Sequence, residues 1–186
     1  YIAGNNTRII KNYFFQNNAG KGGSIYVSGE DTLISGSKFI RVNAVYGAAI
    51  YVEGNDTTIN DSLFNMIYAI NDGGAIYLGG LNSHISNSTF SLVNASRGGA
   101  IFINGNSSVI EGGNFTYCFS SSNRSEFSAG GAIFVHGDDA TISESNFAFS
   151  MARDSGGSIC VEGNNAKIDG NKFENCSTTS TYGGGA

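Results

Sequence analysis

The 186-residue chain has no proline and no tryptophan, three cysteines and two methionines, and only 13% of it is charged. Basic residues are scarce: ten Lys and Arg stand against fifteen Asp and Glu, for a net charge of −5. A surface of that sign repels phosphate backbones and anionic headgroups, which argues against nucleic acid and an anionic membrane as partners. No apolar run approaches the ~18 residues of a membrane span, so no membrane contact is expected within this chain. Three cysteines are too few for a disulfide framework. Cys118 and Cys176 share a position in the repeat described below but fall two repeats apart. That is about 10 Å at strand spacing, beyond the ~7 Å a disulfide tolerates. There is no initiator Met and no secretory n-region, and the chain is expected to be a fragment of a longer protein.

What is abundant is glycine, 27 residues, about twice the usual share. The segment GGAIYLGG, residues 73–80, returns as GGSIYVSG from Gly22, GAAIYVEG from Gly47, GGAIFING from Gly98, GGAIFVHG from Gly130 and GGSICVEG from Gly156. A fixed period of this length is the mark of a repeat architecture. Each unit carries a first Ile (25, 50, 76, 101, 133, 159) and a second nine residues later (Ile34, Ile59, Ile85, Ile110, Ile142, Ile168). A Phe follows five residues on (Phe39, Phe64, Phe90, Phe115, Phe147, Phe173), and Ile9 and Phe14 begin the series in a partial unit. These internal spacings never vary, whereas the gaps between first Ile residues run 25, 26, 25, 32 and 26. A rigid frame with one elastic segment is a solenoid coil with one tolerant loop.

Gly, Asn, Ser and Thr punctuate short runs of period-2 alternation, which favours strands over helices. The expected fold is all-β: a single-stranded parallel β-helix of about seven coils of about 25 residues, right-handed by the crossover preference, forming one solenoid over residues 1–186. Ile, Phe and the set Val27, Val52, Leu78, Ile103, Val135, Val161 fill the bore. Alternation turns the column Tyr26, Tyr51, Tyr77, Phe102, Phe134 outward. It is either a stacking ladder or a binding stripe for sugar or protein. The insertion falls after Phe115, so a protruding loop is expected at residues 116–129, with Phe119, Arg124, Glu126 and Phe127 as a contact patch.

An Asx-rich column (Asn6, Asp31, Asp56, Asn82, Ser107, Asp139, Asn165) suits turn chemistry. The adjacent carboxylates Glu30–Asp31 and Asp138–Asp139 fall short of the six to eight oxygens Ca²⁺ takes, so no metal and no other cofactor is expected. Glycosylation sequons occur at Asn5, Asn55, Asn60, Asn87, Asn94, Asn106, Asn114, Asn123 and Asn175, which points to a surface-exposed, glycosylated exterior. Polysaccharide lyases and hydrolases use this architecture, but they need carboxylates at a defined separation. The best candidate, HGDD at His136–Asp139, has no acidic partner in the columns traced beside it, and His84 lies on another face. No catalytic residue is assigned.

The order GGAI, then GNDTTI (residues 54–59), then S-x-F, then NA resembles the repeats of adhesin-like surface proteins of methanogenic archaea. The repeats of chlamydial polymorphic outer-membrane proteins are similar in GGAI and a Phe-Asn motif. The resemblance implies a secreted cell-surface β-helix concerned with attachment or the cell envelope. The expected function is an extracellular adhesin-like module, part spacer and part binding surface, without enzymatic activity. Its expected partner is protein or carbohydrate at a cell surface. The alternative is a subunit that assembles with its own kind, end to end through the end rungs or side to side, into a filament or sheath. A polysaccharide lyase or hydrolase is the third reading.

Overall fold

Apolar residues that recur singly between turns can share one interior only if the chain bends after each and stacks every repeat on the last. The computed structural model describes residues 1–121, 127–180 and 184, and among them it contains strands, turns and no helix. The strands pair in parallel and in register as three sheets of a β-solenoid. A six-stranded Tyr sheet runs from Ile25–Val27 to Ile159–Val161. A seven-stranded Ile sheet runs from Arg8–Ile10 to Lys167–Asp169. An eleven-stranded Phe sheet has its main path from Tyr13–Phe15 to Lys172–Glu174. Among the described residues the coils number six complete turns and a partial first one, which reaches the Tyr sheet through a bridge from Ile2 to Val27.

The columns expected in the bore are there through the inner coils, while at the last rung Ile168 and Phe173 are exposed. Ile34, Ile59, Ile85, Ile110 and Ile142 are almost wholly buried, and Phe39, Phe64, Phe90, Phe115 and Phe147 wholly so. The Phe rings stack with centroids 4.7–5.0 Å apart and near-parallel planes. That separation is the rung spacing of the strands themselves, so the ladder fixes the ring offset. Each buried Phe contributes about 2–3 kcal/mol from apolar burial.

Four residues per coil turn the corners, each in the left-handed region. The first Gly of the repeat does so (Gly22, Gly47, Gly73, Gly98, Gly130, Gly156), as does the whole Asx column. A third column alternates Lys11, Gly36, Asp61, Asn87, Gly112, Glu144 and Gly170. A fourth, Gln16, Arg41, Met66, Leu92, Tyr117, Phe149 and Asn175, bends the Phe sheet. Large side chains there cost about 1–2 kcal/mol each. The ladder offsets that cost: Asn6, Lys11, Gln16 and Gly22 each still donate their N–H to a carbonyl of the next coil.

The S-x-F motif has a structural meaning. Ser62 Oγ accepts the Ser37 N–H (3.2 Å) and donates to its own strand's Asn60 carbonyl (2.8 Å). Ser37, Ser88 and Ser145 repeat the pattern, and Asn171 closes it by accepting the Ser145 N–H. A corner that would leave a buried N–H unpaired is satisfied from the adjacent rung. On the opposite corner, Asn5, Asn55, Asn106 and Asp138 do the same with their side-chain oxygens.

The expected protruding loop is shorter than residues 116–129. Asn114–Ser120 is a continuous strand whose Phe119 pairs in register with Asn94 and Met151. The Phe sheet already carries seven-residue strands at Leu63–Ala69 and Thr89–Ala95, so the first five residues after Phe115 extend an existing rung and the insertion begins after them. Asn123, Arg124 and Glu126 lie outside the described residues.

Candidate functional site

One residue before each turn glycine, the column Lys21, Tyr46, Asp72, Arg97, Ala129, Ser155 runs along the solenoid. The turn into the Tyr sheet is tight, so this column lies against the outer face of that sheet. Lys21 Nζ sits 4.5 Å from the Tyr51 ring centroid, and the Tyr46 ring meets Tyr77 edge-on at 6.4 Å. The Arg97 guanidinium lies 4.9 Å from the Phe102 centroid and 5.4 Å from that of Phe134. Ala129 packs into the same cluster with Phe102 and Phe134.

Of the two readings of this column, the cover favours the stacking ladder over an open binding stripe. Tyr51 is 7% exposed, Phe102 3% and Phe134 0%. Tyr26 and Tyr77 are half-buried. The column does point away from the bore, and it stacks, with Tyr51–Tyr77, Tyr77–Phe102 and Phe102–Phe134 centroids 4.6–5.3 Å apart. It is therefore a second, satellite core. Burial pushes the Tyr77 hydroxyl up to about 12. At the more open end, the Tyr26 hydroxyl donates to Glu53 and holds that carboxyl below its ordinary value, with Lys21 also 3.4 Å from it.

Beside the covered stripe the surface opens into a cleft of about 410 Å³ lined by Tyr46, Asn71, Asp72, Ser96, Arg97 and Phe127. Its floor is a bidentate ion pair across two coils: Arg97 Nε to Asp72 Oδ1 at 2.8 Å and Nη2 to Oδ2 at 2.9 Å. The Asp72 side chain is only 11% exposed, and the hydrogen bond to it raises the Arg97 pKa further. Ser96 Oγ donates to the Ile70 carbonyl at 2.8 Å. Phe127, from the expected contact loop, stands 48% exposed at this cleft. Phe119 lies elsewhere, on the outer face of the Phe sheet.

Residue type alone does not mark Tyr46, Asn71, Asp72, Ser96 and Arg97. The available signal was positional: Asp72 and Arg97 occupy the same place in successive repeats, directly before Gly73 and Gly98. The same vertical logic corrects the isolation of the HGDD segment. His136 Nδ1 lies 3.0 Å from Glu162 Oε2 on the next coil, and His84 Nε2 lies 3.0 Å from Glu111 Oε1. Asp138 accepts from the backbone and side chain of Asn164, which hold its carboxyl below its ordinary value. These exposed pairs are rungs of cross-coil ladders. Among the described residues, no group of three or more His, Cys, Asp or Glu is placed to hold a metal ion.

Cys118, Cys160 and Cys176 are free thiols. Cys118 is buried in the bore, and burial pushes its thiol well up. Of the sequon residues, Asn5, Asn87, Asn106, Asn114 and Asn175 are exposed, while Asn55, Asn60 and Asn94 are half-buried. Asn55 and Asn94 spend their side-chain amides on Glu30 and Ser121 of the neighbouring coils. Among the described residues, no helix is long and apolar enough to cross a membrane. Comparison with family models, curated proteins and solved structures finds no match.

Proposed function

We propose that the chain is a structural display module of an extracellular, adhesin-like surface protein, one that holds a fixed lateral surface toward protein or carbohydrate partners without enzymatic activity. The observation that supports it most is the agreement of every coil in register across all three sheets. A coil spends about 25 residues to advance one rung of about 4.8 Å. That is a slow way to gain length. What it gains is stiffness and long columns of side chains at a fixed pitch, which suits a surface that must present contacts rather than move. The exposed sequon residues fit an exterior that faces the secretory route.

One observation favours the second reading, assembly with its own kind. Met66, Leu92, Tyr117 and Phe149 form a single outward column, each 40–47% exposed, and Tyr117 and Phe149 stack at 5.0 Å. An apolar stripe of that kind suits lateral packing of solenoids. Light scattering over a concentration series separates the two. The display reading expects the mass of one chain throughout. Growth with concentration, abolished by Leu92→Asn with Tyr117→Asn, would make assembly the function.

A further inference from the structure

We propose that the cleft over the Asp72–Arg97 pair binds a neutral saccharide. Charge decides first. The two side chains neutralise each other through two short hydrogen bonds, so the floor of the cleft carries no net charge. An anionic ligand at the remaining N–H groups of Arg97 would also face the nearly buried Asp72 carboxylate, and a cationic one at Asp72 would also face the Arg97 guanidinium. Either ion meets a like charge within the pair, which offsets its attraction. A neutral polar ligand meets no such penalty.

The pair nonetheless keeps bonding capacity on both sides. A guanidinium has five N–H groups, and Asp72 takes only those on Nε and Nη2. Each carboxylate oxygen retains a lone pair. Donors and acceptors therefore stand side by side, as adjacent ring hydroxyls require, since each hydroxyl both gives and takes a hydrogen bond. The Asn71 amide is half-buried at the rim, and the Ser96 hydroxyl spends its proton on Ile70 and keeps its acceptor capacity.

Two aromatic residues line the same cleft, Tyr46 and the exposed Phe127. Ring faces of this kind suit the apolar C–H face of a pyranose, which is the other half of sugar recognition. The geometry is set in advance: Arg97 is held from below by the Phe102 and Phe134 rings and from the side by Asp72. A preorganised site loses less to ordering on binding. The volume of about 410 Å³ lies toward the low end of small-molecule sites and suits a short glycan terminus. A peptide added as a strand is disfavoured, because the backbone of this column is already bridged coil to coil from Asp72 through Arg97 and Ala129 to Ser155.

The assignment is independent of the display reading above: an empty cleft would leave that reading standing, and assembly into filaments would not touch the cleft. The test is saturation-transfer NMR and calorimetric titration of the full chain with neutral methyl glycosides of glucose, galactose, mannose and N-acetylglucosamine, their β-linked disaccharides, and the matching uronates. At least one neutral glycoside is expected to bind, to weaken about tenfold or more with Phe127→Ala and with Asn71→Ala, and to bind no more weakly than its uronate. Both variants lie outside the ion pair, and their melting curves are expected to match the parent. Failure of every neutral glycoside to bind at about 50 mM, binding that both variants leave unchanged, or preference for the uronate would each overturn the proposal.

Discussion

Glycine at the end of the Tyr-sheet strand marks the point where successive coils come closest. A Cβ on Gly80 would stand 1.9 Å from the Gly54 carbonyl oxygen, and Gly54, Gly105 and Gly163 meet the same wall. The obstacle is backbone of the coil below, which cannot rotate away. Gly80→Ala is expected to cost about 3 kcal/mol and lower the melting temperature, whereas Gly20→Ala, with open space around it, is not. Equal melting temperatures would contradict the tight corner. Charge acts at the same scale in Asp138. Its carboxyl is held below the ordinary value by the Asn164 N–H and amide. A lowered folded-state pKa contributes stability above the ordinary carboxylate value and loses it as pH falls through the lowered one. The gap in melting temperature between the parent and Asp138→Asn should therefore narrow from about pH 5 to about pH 2. A gap independent of pH would contradict the ladder.

Elements here are too short to stand alone; most strands have three residues. Their stability comes from neighbours above and below, and the serine column shows how. Ser62 serves two backbone groups at once, one on its own coil and one on the coil before. Ser62→Ala leaves the Ser37 N–H buried without a partner and is expected to cost about 1–3 kcal/mol, read as a lower urea midpoint with an unchanged slope. Ser35→Ala, on the outer face of the Ile sheet, is the control. The inward columns were legible in the sequence because alternation and spacing specify which side of a strand a residue takes. The burial of Phe102 and Phe134 was not legible, because alternation is silent on what lies over the outer face. Their cover comes from Arg97 and Ala129, residues of the elastic segment. The boundary of the inserted loop escaped for a related reason. The invariant spacing ends at Phe115, yet the Phe sheet bends at Tyr117 and then continues as strand to Ser120.

Across the whole molecule, each coil rests on the next through three sheets, and stability is expected to be a sum over coils and their interfaces. The cleft belongs to this scale as well. No single repeat contains it: Tyr46, the Asn71–Asp72 pair, the Ser96–Arg97 pair and Phe127 come from four successive coils. A site of that kind is invisible to motif reading within one repeat and appears only once the repeats are stacked. On the proposed function the stacked columns serve display, with each solenoid presenting its own lateral surface. The measurement that tests it most directly is the molar mass of the full chain by light scattering from micromolar to millimolar concentration. The mass of one chain is expected at every concentration, with the outward column of Met66, Leu92, Tyr117 and Phe149 left in solvent. A mass that climbs with concentration into filaments or bundles would contradict it and make assembly the function of this surface.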